Sequence, residues 1–249
     1  MSGLDWGCRT VAQLPDFAAA GSVLEIGGGD FGRVRALAER FPDKRFLSVD
    51  LVFSPAARDG LPSLLALDNV NVLRDPDPLR LLADGSFDFA FSIAVMEHVA
   101  ALDPFLARLH AVLRPGAAYW FHQEPFWTSP SGHHYRHDEP AVTRHLDAYQ
   151  HLLFDAVQMR AYLDAIPDRP FETAECVRKI YRRPDLSRLS PGETHEIVRR
   201  SPFRIEQWDE RALDAIDETA AAQVLARYGE RYSRRDLSVR AVRALLRRV

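Results

Sequence analysis

The sequence predicts an α/β fold, a doubly wound and mostly parallel sheet with helices on both faces. Residues 23–32 read Val-Leu-Glu-Ile-Gly-Gly-Gly-Asp-Phe-Gly, an apolar run with one acid that enters a glycine-rich turn. A second apolar run, 46–49, ends about twenty residues further on at Asp50. Strand-like and helix-like segments alternate from residue 23 to about residue 124. This alternation is typical of a parallel sheet that is covered on both faces.

The glycine-rich turn predicts a nucleotide-binding strand, turn and helix. Gly27, Gly29 and Gly32 have the spacing at which a missing Cβ permits a tight turn, close backbone approach to a ligand and close helix packing. Glu25 precedes the first glycine by two residues and can hold a cationic ligand group through the turn. Asp50, at a strand tip, can accept both ribose hydroxyl protons. We therefore expect a ligand with an adenosine part and a positive charge.

The other elements of the first half follow from apolar runs between turn residues. Asp-Gly at 84–85 forms the turn before the fourth strand. Asp-Pro at 103–104 opens a helix, and Arg-Pro-Gly at 114–116 ends it before the fifth strand. The expected strands of this half are residues 23–26, 46–50, 70–73, 87–93 and 118–121.

Residues 125 to about 191 break the alternation and are expected to fold over the sheet as an insertion. Seven prolines punctuate this segment. Its apolar residues at helical spacing are too many for a disordered segment to leave in water: Leu146, Tyr149, Leu153, Val157, Tyr162 and Leu163. We expect a strand at 203–208, a helix at 212–228 and a last strand at 237–246, where a helix fits almost as well because Val239, Val242 and Leu246 are three or four residues apart.

Length and composition indicate one principal globular domain. The chain has 249 residues, of which 47% are hydrophobic and 27% charged. It has no apolar run near the roughly 18 residues that span a bilayer, and no signal-peptide pattern, so we expect a cytoplasmic protein without membrane association. Cys8 and Cys176 are expected to be two reduced thiols.

The charge pattern argues against bulk binding of nucleic acid. The formal net charge is −3, whereas nucleic-acid-binding domains usually carry an excess of basic residues. Eight arginines nevertheless lie between Arg227 and Val249, against Glu230 and Asp236. They either form a solvated face or attract a phosphate-bearing substrate or carrier.

Together these motifs resemble the class I S-adenosylmethionine-dependent methyltransferases, in the small-molecule branch of the methyltransferase type 11 kind. The glycine turn resembles the family's first motif, and Asp50 its ribose-binding acid. Residues 86–92, Ser-Phe-Asp-Phe-Ala-Phe-Ser, followed by 95–99, Val-Met-Glu-His-Val, are similar to the fourth-strand segment. Leu-Arg-Pro-Gly at 113–116 is similar to the turn before strand five.

The resemblance implies a fold, a cofactor and a set of binding residues. The fold is a Rossmann-like, mostly parallel seven-stranded sheet with a helical lid insertion between strands five and six. We expect a single domain at 1–249, with a cofactor-binding core at 22–124, a lid and substrate insertion at 125–200 and a C-terminal part at 201–249 that completes the sheet. S-adenosylmethionine would contact Glu25, Gly27, Gly28, Gly29, Gly32, Asp50, Leu51, Asp75, Pro76, Ser92 and Ile93.

This sequence departs from the family pattern at three points. Ala117 replaces a glycine that commonly follows Pro-Gly, and residues 73–83 lack the usual Leu-Pro-Phe signature. Asp77 therefore competes with Asp75 for the adenine contact. An Asn/Asp-Pro-Pro-Tyr/Phe segment near Ser92 is also missing, which argues against amino methylation of nucleobases.

Histidines are the expected catalytic groups. His98, with Glu97 beside it, follows strand four where cofactor and substrate would meet, and an imidazole of near-neutral pKa suits a general base for a hydroxyl acceptor. His133 and His134 supply a second cluster, with His137 and Asp138, that either hydrogen-bonds the substrate or holds a divalent metal. We expect no metal, because adjacent histidines point in different directions on most backbones. Phe126, Trp127 and Tyr135 either stack on a substrate ring or belong to the core.

The predicted function is methyl transfer to a small-molecule acceptor, by preference a hydroxyl of a sugar or secondary metabolite. N- or C-methylation of a natural product is an alternative within the same class. A nicotinamide-dependent oxidoreductase would use the same glycine turn and Asp50. A non-catalytic S-adenosylmethionine-binding protein is a third alternative, because binding and catalytic residues largely coincide in this fold. The oligomeric state is left open by the sequence.

Overall fold

Seven strands form one sheet in the order β3-β2-β1-β4-β5-β7-β6, in which only β7 runs antiparallel to its neighbours. The computed structural model describes residues 5–51, 55–135 and 139–249, without the side chains of 55–57 and 140. The predicted α/β fold with a mostly parallel, doubly wound seven-stranded sheet is confirmed. The strands are β1 (Ser22–Ile26), β2 (Arg45–Asp50), β3 (Val70–Arg74), β4 (Phe87–Ile93), β5 (Leu113–Gln123), β6 (Phe203–Ala212) and β7 (Val239–Arg248).

Helices connect the parallel strands, and several more lie between β5 and β6. The bounds are α1 (Trp6–Ala12), α2 (Pro15–Ala19), α3 (Gly32–Arg40), α4 (Pro55–Leu65), α5 (Leu102–Val112), α6 (Pro140–Thr143), α7 (Gln150–Leu153), α8 (Ala156–Asp164), α9 (Thr173–Tyr181), α10 (Pro191–Arg200), α11 (Glu218–Tyr228) and α12 (Arg234–Ser238).

Strands β1, β2 and β4 end together at one edge of the sheet. Ile26 is in register with Val49 on one side and with Ser92 on the other. The strand order reverses between β1 and β4, and ligands of open α/β sheets bind at such a reversal, outside the carboxyl ends of the strands. This edge therefore positions the candidate site.

Apolar side chains fill both faces of the sheet. On one face α1, α2 and α3 cover the inner strands, with Phe17, Leu37 and Phe89 fully buried. On the other face α5 packs through Leu106 and Leu109. A strand buried on both faces reads as a continuous apolar run, which is why β1 and β4 were recognisable from sequence.

The helices between β5 and β6 have a hydrophobic cluster of their own. Tyr149, Leu163 and Ile180 in this cluster are fully buried. Helix α11 packs into this cluster through Val224, although it follows β6 in the chain. Val157, expected to be buried, is 77% exposed because it lies in the first turn of α8 on its solvent side. The expectation for Val157 was wrong. The domain boundaries and the lid role stay predictions.

The last third of the chain differs from the sequence expectation at the end of β6 and at both ends of the last strand, which was expected at 237–246 and runs from Val239 to Arg248. Strand β6 continues to Ala212, which pairs with Val239, so the helix expected from residue 212 begins only at Glu218. The final segment is a strand, as expected, because β5 and β6 flank it and satisfy its backbone on both sides. Within the described parts of the chain, none of the helices has the length and apolar character required to cross a membrane.

Candidate functional site

The turn after β1 is a tight, glycine-rich loop at the edge of the sheet. Gly27 and Gly29 have φ values of 74° and 61°, a left-handed conformation in which glycine avoids the Cβ clash. Gly27 N–H donates to Val49 O at 2.8 Å, and Phe31 N–H donates to Gly28 O at 2.9 Å. The chain then enters α3, whose N–H groups point toward this edge.

The glycines also make room for their neighbours. A Cβ on Gly28 would lie 2.1 Å from Ser48 Oγ, and a Cβ on Gly27 would lie 2.3 Å from Val95 Cγ2. Around a Cβ on Gly29 there is open space within 4 Å. Gly27 and Gly28 are therefore required by packing, whereas Gly29 leaves its backbone accessible from outside.

Glu25 is a buried carboxylate beneath the turn, with 1% of its surface exposed. Ser48 Oγ donates to Glu25 Oε2 at 2.6 Å, and Arg33 Nε lies 3.5 Å from Oε1 without a hydrogen-bond geometry. Burial raises the pKa of Glu25, and the charge of Arg33 opposes that effect. A buried carboxylate oxygen without a hydrogen-bond donor is suited to receive a cationic ligand group.

Asp50 joins the end of β2 to the turn. Its Oδ2 accepts the Gly29 N–H at 2.8 Å, and the main-chain O of Asp50 accepts the Asp75 N–H at 3.2 Å. Leu51 next to it is 49% exposed, a large apolar side chain at the edge of the site. Asp75 Oδ1 accepts the Asp77 N–H at 2.8 Å, so both candidate adenine ligands lie in one turn, with Pro76 exposed between them.

The tip of β4 presents backbone toward the turn and side chains toward the interior. Ser92 is fully buried, and its Oγ lies 2.6 Å from the Tyr119 hydroxyl, so its side chain is engaged beneath the site. Ile93 lies against α1, where a Cβ on Gly7 would come within 2.5 Å of its Cδ1. Ala94 follows with φ 57°, and Val95 packs over Gly27.

Glu97 lies in a short 3-10 turn after β4 and is only 3% exposed. Its Oε2 has no hydrogen-bond partner among the described residues. Burial, with a smaller contribution from the charge of Glu124, raises the pKa of Glu97 well above its ordinary range. A raised pKa favours the protonated carboxyl group. In that form Glu97 can donate a proton, and it can act as a base only after it has lost the proton.

His98 contacts two residues that were not expected from sequence. Its Nδ1 lies 3.3 Å from Asp185 Oδ2 and 3.4 Å from Arg183 Nη2, and Arg183 also binds both oxygens of Asp185. Burial and the charge of Arg183 lower the pKa of His98, and Asp185 opposes this. His98 is therefore neutral near pH 7, the form that accepts a proton.

The second histidine cluster divides between two places. His134 has φ 59°, and its ring lies edge-on to His98 with the centroids 5.4 Å apart. Its Nδ1 is 2.6 Å from Gly132 O, and burial lowers its pKa to about 4. His133 is buried, its Nδ1 accepts the Tyr135 N–H, and its ring lies 5.7 Å from that of His151. Only His134 thus joins His98.

A metal site is not formed by the described residues, among which no three histidine, cysteine or carboxylate side chains converge. His137 and Asp138 of the predicted cluster lie outside the described residues. Phe126, Trp127 and Tyr135 are at most 9% exposed, so these aromatics belong to the core and not to an open stacking surface.

Three features of this edge were missed by sequence reasoning. Arg183 and Asp185 follow α9 and are brought to His98 by the packing of the insertion, with the Ser187 N–H donating to Glu97 O at 2.9 Å. Trp6 reaches the end of β5, where its ring lies 4.9 Å from that of His122. These residues have no local motif, because only long-range packing brings them to the site.

The residues present fit a cationic ligand that carries a ribose. Glu25 supplies a buried anionic oxygen, Asp50 a carboxylate at the tip of the neighbouring strand, and Leu51 an apolar contact surface. The accessible backbone of Gly29 lies between the two carboxylates in the chain. A ligand with a sulfonium or ammonium group and a diol matches these two carboxylates and the apolar surface beside them.

Comparison with known protein families gives a match for one part of the chain. Residues 24–121 match the methyltransferase domain family. A curated relative, an uncharacterized protein of Mycobacterium tuberculosis strain H37Rv, is 32% identical in an alignment that covers 47% of this chain and 39% of that protein. The chain thus spans about two fifths of the length of the curated relatives it matches.

Solved structures with the same fold include several methyltransferases. An S-adenosylmethionine-dependent methyltransferase from Mesorhizobium loti superposes with a TM-score of 0.53 at 19% identity, covering 97% of this chain and 96% of that one. A geranyl diphosphate C-methyltransferase from Streptomyces coelicolor superposes with a TM-score of 0.53 at 11% identity, covering 92% and 74%. At these identities the likeness establishes the shared fold.

Proposed function

We propose that this chain, in which residues 24–121 match the methyltransferase domain family, is a class I S-adenosylmethionine-dependent methyltransferase that methylates a hydroxyl group of a small polar metabolite. A sugar or a secondary metabolite is the acceptor class we favour. The proposal is carried by one observation: an accessible glycine turn lies between a buried carboxylate, Glu25, and a carboxylate at the next strand tip, Asp50.

The cofactor contacts follow from the residues at this edge of the sheet. S-adenosylmethionine, when bound, supplies an electrophilic methyl group on a sulfonium. Glu25 would bind its cationic end through the turn, Asp50 its ribose and Leu51 its adenine. Gly27, Gly28 and Gly32 would keep the turn tight enough for Gly29 to approach it. Ser92 and Ile93 would contact the cofactor through the backbone at the tip of β4, because the Ser92 side chain is already hydrogen-bonded to Tyr119.

His98 is the proposed general base. An Nδ1–H tautomer would donate to Asp185, which can only accept, and this leaves the Nε2 lone pair for the acceptor hydroxyl. Arg183 fixes Asp185 through two hydrogen bonds, and its charge adds to the effect of burial in lowering the pKa of His98. His134 packs edge-on against His98 and would limit its rotation.

The rest of the rate enhancement is expected to come from alignment and exclusion of water. Methyl transfer is an in-line displacement, so holding the two reactants in the correct orientation lowers the barrier substantially. The loop between α9 and α10 carries Arg183 and Asp185, and His134 lies in the segment between β5 and α6. We therefore propose that residues 125–200 cover the acceptor as a lid.

Titration calorimetry tests the cofactor assignment. The purified chain is titrated with S-adenosylmethionine and, separately, with NAD. We expect a dissociation constant in the micromolar range for the first and no heat for the second. Asp50→Ala should weaken the first interaction, while Asp84→Ala, an exposed acid in the turn before β4, should leave it unchanged. Heat with NAD alone would refute the assignment and favour an oxidoreductase.

The acceptor class is tested by transfer of an isotopically labelled methyl group. A panel of sugars, phenols and amines is incubated with labelled S-adenosylmethionine, and the products are fragmented by mass spectrometry. The proposal expects the label on oxygen. Label on nitrogen or carbon would replace hydroxyl methylation by one of the other transfer chemistries, and binding without transfer to any acceptor would favour a non-catalytic cofactor-binding protein.

A further inference from the structure

The basic C-terminal segment is almost fully paired, with one exception. Of the eight arginines between residues 227 and 249, seven donate to a carboxylate or a main-chain carbonyl, and only the side chain of Arg243 has no hydrogen-bond or ion-pair partner among the described residues. The seven pairs are Arg227 with Leu153 O, Arg231 with Glu193, Arg234 with Glu218, Arg235 with Glu210, Arg240 with Glu124, Arg247 with Glu206, and Arg248 with Leu113 O.

Arg243 is held in place without being neutralised. Its guanidinium Cζ lies 4.4 Å from the centroid of the Trp6 ring, a cation–π contact, and its Nε is buried without a hydrogen-bond partner among the described residues. Burial and the charge of Arg211 lower the pKa of Arg243, although its guanidinium stays charged in the physiological range. A buried donor in this state is costly unless a ligand completes it.

Arg243 lies in an open cavity of about 450 Å³ at the carboxyl ends of β5 and β6. The cavity is lined by Trp6, His122, Glu124, Arg211, Arg240 and Arg243. Arg211 is exposed at the rim and makes no ion pair with the carboxylates that the structure describes. His122 is 8% exposed, and its Nδ1 has no hydrogen-bond partner within the described ranges. The lining thus includes two residues that each have a buried, unsatisfied nitrogen, and one exposed guanidinium without an ion pair among the described carboxylates.

Positive charge dominates this cavity. Its lining contains three arginines and one carboxylate, Glu124, which is shared between Arg240 and His122. Asp209 lies opposite Arg243 in the strand register, and its charge offsets part of the repulsion between Arg243 and Arg211. The remaining excess is positive, and a guanidinium fork matches carboxylate and phosphate oxygens in pairs.

The cavity adjoins the proposed transfer site. His122 is the register partner of Ile93, and His122 O accepts the Ala94 N–H at 2.9 Å. The next residue, Val95, packs over Gly27 of the cofactor turn. A small molecule anchored at Arg243 would therefore reach across the tip of β4 toward the glycine turn.

We propose that the cavity of Trp6, Arg211 and Arg243 binds an oxyanion, a carboxylate or a phosphate, on the methyl acceptor. The inference rests on the proposed function for the identity of its ligand as an acceptor. Arg243 would form the fixed contact from the floor and Arg211 the adjustable one from the rim. Trp6 would shield both from water. The acceptor of this enzyme would then be an anionic hydroxy compound, not a neutral one.

Titration calorimetry with matched ligand pairs tests this site without cofactor. The pairs are 3,4-dihydroxybenzoate against catechol, for a carboxylate, and glucose 6-phosphate against glucose, for a phosphate, at constant ionic strength. In at least one pair we expect the anion to bind about tenfold more tightly or better, as one charge-assisted contact implies. The pair that shows the preference identifies which oxyanion the cavity recognises.

Arg243→Gln and Arg211→Gln should each remove that preference. Arg45→Gln is the matched control, because Arg45 is exposed and lines a separate cavity at the opposite edge of the sheet. Circular dichroism verifies that each variant is folded, and Arg211 at the rim is replaceable without disturbing the core. No anion preference in either pair, or a preference that survives both cavity substitutions, would overturn the proposal.

A separate titration with S-adenosylmethionine keeps the two proposals distinguishable. Anion preference with no cofactor binding would leave the anion site and reject the methyltransferase assignment. Cofactor binding with no anion preference would keep the methyltransferase assignment and reject the anion site.

Discussion

His98 Nδ1 lies 3.3 Å from Asp185 Oδ2, although the two residues are 87 positions apart in the sequence (185 − 98). Arg183 binds both oxygens of Asp185 and so fixes the carboxylate against the imidazole. The segment after α9 thus completes a site whose cofactor-binding part lies near the N-terminus of the domain. The proposed base and its orienting acid thus come from two separate segments of the chain.

His98→Gln is expected to lower kcat by about a hundredfold or more, the usual contribution of a positioned general base. The dissociation constant for S-adenosylmethionine should stay close to the wild-type value, because His98 lies beyond the cofactor turn. His195→Gln is the matched control, a half-buried histidine on α10 whose ring packs on Trp208. Steady-state kinetics with parallel calorimetry make the measurement. Unchanged turnover in the His98 variant would remove it from the mechanism.

The pH dependence of turnover should carry the signature of the same pair. His98 acts as a base only when it is neutral, so activity is lost as pH falls through its pKa. Burial and Arg183 lower that pKa below the ordinary value of 6.5, so the ascending limb lies below pH 6.5. Asp185 opposes the shift, and Asp185→Asn should therefore move the limb to still lower pH. A limb that moves upward, or does not move, would contradict the assigned pair.

Local pattern located the five strands of the parallel half of the fold, because each contains a short apolar run near turn residues. The bounds of β5 were wrong, since the strand runs from Leu113 to Gln123 and includes the expected turn at 114–116. The strand at Phe87–Ile93 was predicted at its observed bounds. The start of α11 was not, because β6 is extended by its pairing with β7, and that pairing is a long-range property. The exposure of Val157 likewise depends on how α8 is oriented on its neighbours.

The candidate site divides in the same way. Glu25, Asp50 and the glycines were identifiable because their order along β1 and β2 is itself the motif. Asp185 and Trp6 carry no such order, and each reaches the site only through packing of a separate segment. His133 and His134 were predicted together, but adjacent residues point apart, and the left-handed backbone of His134 separates them further.

Alanine at Gly28 and at Gly29 should have unequal effects. A Cβ on Gly28 would overlap Ser48 Oγ and press on Glu25, so Gly28→Ala is expected to cost about 2–3 kcal/mol and to weaken cofactor binding. Gly29→Ala meets open space, and the strain of φ 61° should cost about 1 kcal/mol. Urea unfolding midpoints at constant slope measure both. Equal destabilisation would contradict the extra cost of crowding predicted at Gly28.

Glu25→Gln should separate binding from stability. Burial raises the pKa of Glu25, so ionising it opposes folding, and this cost appears as pH rises above the pKa of the unfolded chain. The neutral variant should therefore gain stability relative to the wild type between pH 4 and pH 8, while cofactor affinity falls about tenfold for one lost charge-assisted contact.

Asp88→Asn is the matched control at the opposite edge. Burial raises its pKa, but hydrogen bonds from Ser22 and Arg114 outweigh this and leave the pKa below its ordinary value. Asp88 therefore stabilises the fold above pH 4, and its loss should cost about 1–2 kcal/mol without changing cofactor affinity. If both variants changed affinity alike, Glu25 would have no specific role in the turn.

Tyr149 tests how the insertion is attached to the sheet. Its buried hydroxyl donates to Leu237 O at 2.8 Å, just before β7, and burial raises the pKa of Tyr149 to about 12, so it remains a donor across the physiological range. Tyr149→Phe leaves a buried carbonyl without that donor and should cost about 1–2 kcal/mol, equally at pH 6 and pH 9.

Thr128→Val provides a second, separate attachment for comparison, because Thr128 Oγ1 donates to Asp236 O at 2.7 Å. If the two bonds act on one rigid unit, the double variant should lose more than the sum of the single losses, measured by thermal unfolding. Turnover at a temperature well below unfolding should be unchanged in Tyr149→Phe, because no described residue of the His98 site contacts its hydroxyl. Lower turnover with unaltered stability would instead show that the insertion must move against β7 during catalysis.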